Sequence, residues 1–488
     1  MSVPVNRIQT RVDRPPAPGA RYVLYWMVAN RRLGWNFALE HAVDQANRLG
    51  LPLLIFEALR VDYPWASDRL HQFVLDGMAD TAERIASRPG VGYLPYVEPD
   101  SGAGKGLLAA LAAEAAIVVT DDFPAFIVPA MLEAAARQLN VRLDVVDANG
   151  LLPIRESGRV FPTAYAFRRH LQRTLPALLP ERPLADPLSA LRSIDRVEVS
   201  ARIQTGWPSP VVSLLDGSRT VTSLPVSHAV PPVGVRGGAR AADEALTRFI
   251  AEGLPRYGEA RNRVEDDTSS RLSPYLHFGH ISSWQVVARL LEREGWVGVT
   301  SGRGTGAREG WWGVSPEVEG YLDQIVTWRE LGFNMCVGHP DGYDRFESLP
   351  PWALATLGKH EADQRTYRYG LDPFEAGATH DPLWNAAQRQ LRTEGRIHNY
   401  LRMLWGKKIL EWSATPRDAL AVMIELNNKY ALDGRDPNSY SGIFWTLGRY
   451  DRPWAPERPV FGTVRYMSSE NTARKMPVSG YIRRYAET

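Results

Sequence analysis

From Tyr22 the chain alternates short apolar runs with amphipathic stretches. YVLYWM (22–27) is followed by apolar residues at helical spacing from Asn36 to Leu49, then by LPLLIFEAL (51–59). VGYLPYV, AAIVVTDDF and VRLDVVD continue the alternation to about residue 147. Strand-length apolar runs separated by helix-length amphipathic segments are what βαβ units of a parallel sheet look like in sequence. The pattern predicts an α/β domain, a doubly wound parallel sheet, over residues 20–150. Residues 151–240 lose this periodicity and are rich in Pro, Arg, Ser and Gly, as in ERPLADPL and VPPVGVRGGAR, so they read as an interdomain linker lying over the surface. From Ala241 the period becomes helical, through ADEALTRFIAEGL, SSWQVVARLLEREG, NAAQRQLRTEGRIHNYLRMLWGKKILEW and PRDALAVMIELNNKYAL. An all-α domain over 241–488 is expected. Within it SGRGTGAREGWWG (301–313) reads as a mobile glycine-rich insertion.

Composition narrows the classes. With 488 residues, 44% hydrophobic and 23% charged, the chain can bury two cores. No apolar run reaches the length of about 18 residues that a membrane helix needs, and Met1 to Pro18 lack the apolar core of a signal peptide. A cytoplasmic protein without a membrane partner is expected. Cys336 is the only cysteine, which excludes an intrachain disulfide, a CxxC zinc site and a four-thiolate iron–sulfur cluster. No metal is expected, and any redox chemistry calls for an organic cofactor. The net charge is only +2, but the bases are lopsided: six are lysine and 51 arginine. The arginine fork suits phosphates, and GC-rich codon usage produces the same bias. Core packing accounts for most of the 15 tryptophans.

Gly102, Gly104, Lys105 and Gly106 suggest a phosphate loop, but Pro99 stands five residues before Gly104 and no Ser or Thr follows Lys105, so that spacing fails. Three other constellations carry chemistry. In TSSRLSPYLHFGHIS (268–282) the hydroxyls of Ser269, Ser270 and Ser273 at a helix start suit a pyrophosphate, although capping alone explains one or two of them. In the stretch 384–412, Trp405 and Trp412 are seven apart, about 10 Å along one helix face, and Trp384 begins a helix that the EGR turn can fold alongside. Three indoles could then lead from a buried cofactor to the surface; aromatics at helical spacing are also ordinary core. In LNNKYALDGRDPNSYSGIFW (426–445) the polar turn DGRDPN could bring carboxylates and the Asn438 amide to a ring with donor and acceptor edges, or form a structural Asp-Pro turn.

These segments, with YVLYWM, SPYLHFGHIS, WRELGFNMC, THDPLWNAAQ, LRMLWGKKILEW, LDGRDPN and FGTVRYM in order along most of the chain, resemble the photolyase/cryptochrome family. The class II cyclobutane pyrimidine dimer photolyases are the most similar branch. The resemblance implies a photolyase fold, with an α/β antenna domain able to hold a deazaflavin and a helical domain binding FAD. It places Tyr257, Ser269, Ser270, Leu272 and Ser273 at the FAD phosphates and neighbouring groups, and Arg329, Asp433 and Asp436 against the flavin. Asn438 matches the Asn that faces flavin N5. Trp405, Trp384 and Trp412 match the proximal, middle and distal members of the class II electron-transfer chain. Trp328, Met403 and Trp454 match the pocket for the flipped dimer, while Arg402, Arg458, Arg465, Arg474 and Lys475 fall where DNA phosphates would bind. The implied activity is light-driven repair of UV-damaged DNA by a monomer.

One departure matters. Four residues before Trp328 the family carries a Glu, which hydrogen-bonds the dimer; here the residue is Gln324, preceded by Asp323. Gln keeps hydrogen-bonding capacity but supplies neither proton nor charge. A (6-4) photoproduct as substrate, or a cryptochrome-like photoreceptor that signals instead of repairing, are the alternatives.

Overall fold

A computed structural model describes residues 3–195, 197–299 and 304–486. They form two compact units: Met1–Glu156 with Ala177–Leu246 and Leu272–Arg289, and Ser157–Pro176 with Thr247–Arg271 and Leu290–Thr488. No helix among the described residues is long and apolar enough to cross a membrane.

The first unit is built on β1 (Ile8–Val12), β2 (Tyr22–Met27), β3 (Leu53–Leu59), β4 (Val91–Val97), β5 (Ala115–Asp121) and β6 (Arg142–Val146) in the order β1-β6-β5-β2-β3-β4. The five strands from β2 onward are parallel and doubly wound, and the order reverses between β2 and β5. Every residue of β2 and β5 is buried, which matches their unbroken apolar runs. The expected all-parallel sheet is corrected at one edge. β1 runs antiparallel to β6, and its sequence IQTRV is only partly buried, so it carries no apolar run to announce it. Helices α1 (Phe37–Leu49), α2 (Asp68–Ile85), α3 (Leu107–Ala112) and α4 (Val128–Gln138) connect the parallel strands.

At the carboxyl edge of the sheet, the buried Asp121 of β5 accepts the backbone N–H groups of Val28, Ala29 and Asn30 at 2.8–2.9 Å and the Tyr25 hydroxyl at 2.8 Å. This ties the loop after β2 to β5 at the topological switch, where open α/β sheets present ligand crevices. Trp65, after β3, and Phe126, after β5, both adopt left-handed backbone (φ 64° and 59°), and their rings stack with centroids 6.1 Å apart.

Residues 177–240 of the stretch expected as a surface linker pack with this unit, as do 241–246, expected in the helical domain. Val211, Leu214, Val221 and Leu224 are buried in one cluster with Val74, Leu75 and Met78 of α2. Short helices broken by proline bury apolar side chains singly, which leaves no periodicity to read.

The second unit is helical. α5 (Ala164–Leu178) lies in it up to Pro176. α6 (Pro316–Leu322) runs through a π-helical turn, Asp323–Trp328, into α7 (Arg329–Gly338). Then follow α8 (Pro351–Lys359), α9 (Pro382–Glu394), α10 (Asn399–Trp412), α11 (Pro416–Tyr430), α12 (Pro437–Thr446), α13 (Ser469–Lys475) and α14 (Ser479–Arg484). Three of these start with the same device. Asp381, Thr415 and Asp436 each accept a backbone N–H of the first turn, and a proline follows at the first helical position. Gly406 lets α10 close on its neighbours, since a Cβ there would meet Thr446 Cγ2 at 2.6 Å and Met423 Sδ at 3.0 Å.

The insertion expected to be mobile is packed where it is described; Ser301–Arg303 lie outside the described residues. Arg168 and Gln172 of α5 hydrogen-bond the backbone of Gly306 and Ala307, and Trp311 and Trp312 are buried. Its glycines mask two core tryptophans.

Candidate active site of the helical unit

The cap at Asp381 and the Gly395 turn (φ 71°) set α9 against α10, and this brings the three tryptophans into contact. The Trp384 and Trp405 rings are parallel within 3°, with centroids 6.5 Å apart. Trp412 meets Trp384 edge-on at 6.0 Å. Trp384 Nε1 donates to the Trp405 carbonyl at 3.0 Å, and Trp405 Nε1 to Gln388 Oε1 at 2.9 Å. Both indole N–H groups are thus satisfied inside the core, as burial demands. All three rings are buried, Trp412 included, so the array stops short of the surface that had been expected for its end. Beyond Trp412 come Tyr369 and the exposed His380, 5.9 and 4.8 Å away, and the Tyr369 hydroxyl hydrogen-bonds His380 Nδ1 at 2.9 Å.

The DGRDPN turn sits between α11 and α12. Asp433 accepts both prongs of the Arg402 guanidinium, at 2.9 and 3.2 Å. Arg402 was expected to reach DNA phosphates; its fork is instead engaged with Asp433 and mostly buried. Asp436 caps α12 through the Asn438 N–H at 2.8 Å. Asn438 itself is exposed, while residues 431–437 and 439–441 are buried. Gly332 of α7 packs so close that a Cβ would lie 2.7 Å from the Pro437 carbonyl and 2.9 Å from the Asn438 nitrogen. Two residues not anticipated brace the turn. Asn427 Nδ2 donates to Ser439 Oγ at 2.8 Å, and Asn428 donates to the Tyr440 hydroxyl at 3.1 Å while accepting the Arg435 N–H at 2.9 Å. Two amides at core positions of an amphipathic helix are a readable signal of such a network.

In the hydroxyl segment, Ser269 Oγ donates to Asp267 at 2.6 Å, and Asp267 also receives Arg271 at 2.6 Å and Arg396 at 2.8 Å. Burial alone would raise the Asp267 carboxyl; the hydrogen bonds from Arg396 and Ser269 and the charge of Arg271 outweigh it and hold the group well below the usual carboxylate range. The Ser270 hydroxyl hydrogen-bonds Tyr321, whose ring meets Tyr257 edge-on at 5.3 Å. Tyr257 is buried, which pushes its phenol up despite Arg261 nearby. Thr268 Oγ1 is buried with no hydrogen-bond partner among the described residues. Leu272 and Ser273 belong to the first unit, where Leu272 is buried and Ser273 opens a short helix. Arg329 is buried over the Phe333 ring at 4.6 Å.

Gln324 and Trp328 lie on the π-helical turn, both half-buried. Such turns are uncommon and often mark functional positions. Asp323 beside them is committed: Arg168 binds it with two hydrogen bonds of 2.7 and 3.1 Å in the interior. Met403 is half-buried within van der Waals reach of Gly442 of α12. Trp454, also half-buried, is flanked by Arg465 at 4.1 Å and Arg452 at 4.9 Å and donates through Nε1 to Asp451 at 3.1 Å. Arg465 is therefore packed on a ring and paired with Asp451 at 3.2 Å. Arg458, Arg474 and Lys475 are exposed.

No family model matches the chain. Among curated proteins it is 34% identical over 480 residues to the deoxyribodipyrimidine photolyase of Methanothermobacter thermautotrophicus, covering 98% of each chain. It is 32% identical to the deoxyribodipyrimidine photolyase of Arabidopsis thaliana, over 94% of this chain and 88% of that protein. Among solved structures, a class III photolyase from Agrobacterium tumefaciens superposes with a TM-score of 0.69 at 18% identity, over 96% of this chain and 87% of that one.

Proposed function

The chain belongs to the photolyase/cryptochrome family, and on that footing we propose that it is a flavin-dependent class II photolyase, using light to split cyclobutane pyrimidine dimers in DNA. The observation that carries this reading is the unbroken contact of three buried indoles, Trp405, Trp384 and Trp412. Rings in contact within a dry core offer an electron a short route that water does not interrupt.

Residues of the second unit fit a flavin. The orphaned Thr268 hydroxyl, next to Ser269 and Ser270, suits a phosphate oxygen, because a buried donor without a partner is costly. The exposed Asn438 amide, alone in a buried turn, suits a ring edge carrying both donors and acceptors. In this reading Tyr257, Ser269 and Ser270 hold the phosphate side and Arg329, Asp433, Asp436 and Asn438 the ring side. When bound, the flavin supplies the light absorption and the electron that opens the dimer.

The chain's own part is positioning. Asp433 fixes the Arg402 cation, and Asn427 and Asn428 lock the turn that carries Asn438. Trp328, Met403 and Trp454 form apolar walls for an extruded dimer, which stacks poorly in DNA and leaves the helix at lower cost than intact bases. Gln324 offers the lesion a neutral hydrogen bond. Asp323 does not replace the family's Glu, since Arg168 occupies it. Arg458, Arg465, Arg474 and Lys475 meet the phosphates. In the first unit, the stacked Trp65–Phe126 pair at the carboxyl edge of the sheet suits a planar deazaflavin antenna.

Blue-light repair by the photoreduced protein tests this on two oligonucleotides, one with a cyclobutane thymine dimer and one with a (6-4) photoproduct. Restoration of the first is the expected result. Activity on the (6-4) lesion alone would reassign the substrate to match Gln324, and flavin photoreduction without any repair would make the protein a photoreceptor.

A further inference from the structure

Lys407 of α10 is wholly buried, and neither the indole array nor the DGRDPN turn uses it. Its Nζ donates to the Thr446 carbonyl at 2.6 Å and stands 5.0 Å from the centre of the Trp445 ring. An ammonium has three N–H donors; this one has a single hydrogen-bond acceptor among the described residues. A methionine would fill the same space without taking a charge out of water, so packing alone is a poor reason for a lysine here. Burial pushes the ammonium down to about 7, with Asp451 pulling it up and Arg465 pushing it further down. Those two are the charged groups that face it from other elements. Trp445 and Thr446 of α12 bring no titratable group, and Lys408, next along α10, is paired with Glu411 at 2.8 Å.

The same Trp445 ring has a second cation, Arg465, at 5.6 Å. Arg465 also lies 4.1 Å from the Trp454 ring and 3.2 Å from Asp451, which in turn anchors the Trp454 indole N–H. With Arg452 over Trp454, the cluster sets three cations against one carboxylate when Lys407 is protonated, and two against one when it is neutral.

We propose that Lys407 is a positioning residue for DNA binding, acting through Trp445 and Asp451 to raise the positive charge that Arg465 presents to a backbone phosphate. The inference rests on the DNA-repair reading above and adds to it a buried group that never touches the nucleic acid. A buried charge about one ring away acts with little screening, while the phosphate contact itself belongs to Arg465.

The test is dark binding of the flavin-loaded full chain to a dimer-containing duplex from pH 6 to pH 9, read by fluorescence anisotropy. The wild type should bind roughly three- to ten-fold more tightly at the acid end. Lys407→Met should show a flat profile at the level of the alkaline wild type, with its salt dependence unchanged because no phosphate contact is lost. Arg465→Gln, which keeps Lys407, should lose the pH step as well and reduce the salt slope by about one. The proposal is overturned if Lys407→Met weakens binding equally at both ends or keeps the wild-type step. It is also overturned if Arg465→Gln retains that step, a result that stands even where the Lys407 variant does not fold. Wild-type binding without any pH step sinks this role alone, whereas a wild type that binds no DNA at any pH sinks the underlying reading with it.

Discussion

The tryptophans of the helical unit discussed above fall into two sets that differ in burial and in the charges around them. Trp384, Trp405 and Trp412 are buried and packed in series, with Phe374 against Trp384 and Trp412; the hydrogen bonds of Trp384 and Trp405 go to neutral partners, and Lys408 stands 5.3 Å from the Trp412 ring. Trp445 and Trp454 are half-buried, tied to the carboxylate of Asp451 through Trp454 and faced by lysine and arginine. Buried rings among neutral neighbours, as Trp384 and Trp405 are, suit carrying charge briefly. A wet ring under cations is suited to meeting an anionic, aromatic ligand.

The sharpest way to break that contrast is to remove one ring from each set. Trp384→Ala leaves a cavity in a fully buried site and should cost about 3–5 kcal/mol of stability, seen as a lower denaturation midpoint. Asp433→Asn tests the polar ground beside the dry set. It leaves the Arg402 guanidinium mostly buried without its anion and should cost about 3 kcal/mol, with weaker flavin retention on gel filtration. Trp454→Ala, from the wet set, should leave the denaturation midpoint almost unchanged and lower affinity for dimer-containing DNA by about ten-fold, within the worth of one stacked base. The last prediction concerns pH dependence. The Lys407 ammonium titrates at about 7 in the folded protein against 10.5 for a solvated lysine, so between those values the unfolded chain binds more protons. Stability from this group should therefore rise as pH rises from 7 towards 10.5, and thermal melts of Lys407→Met should lack that rise.

Much of the fold could be read because its elements obey one period each. β2 is a continuous apolar run and β3 one broken only by Glu57, and α9 and α11 carry the Asp-Pro and Thr-Pro starts that their sequences display. β1 escaped because an edge strand with one half-solvated face needs no apolar run. The π-helical turn at 323–328 escaped because one extra residue per turn leaves helical composition untouched. At the site, the three indoles came from spacing, but their mutual contact depends on the crossing of α9 and α10, which no spacing encodes. Arg402 was read as an outward cation because its partner, Asp433, lies 31 positions away. Lys407 was passed over because a lysine in WGKK looks like surface until its neighbours on α12 are known.

Trp65 and Phe126 hold left-handed backbone at which glycine would be relaxed, and each such residue costs about 1–2 kcal/mol. Selection for stability alone would therefore drift both positions toward glycine. A facing aromatic pair at two such positions points to a use of that sheet edge that opposes the drift, and lineages that abandon this use should lose these two rings before any residue of the sheet itself.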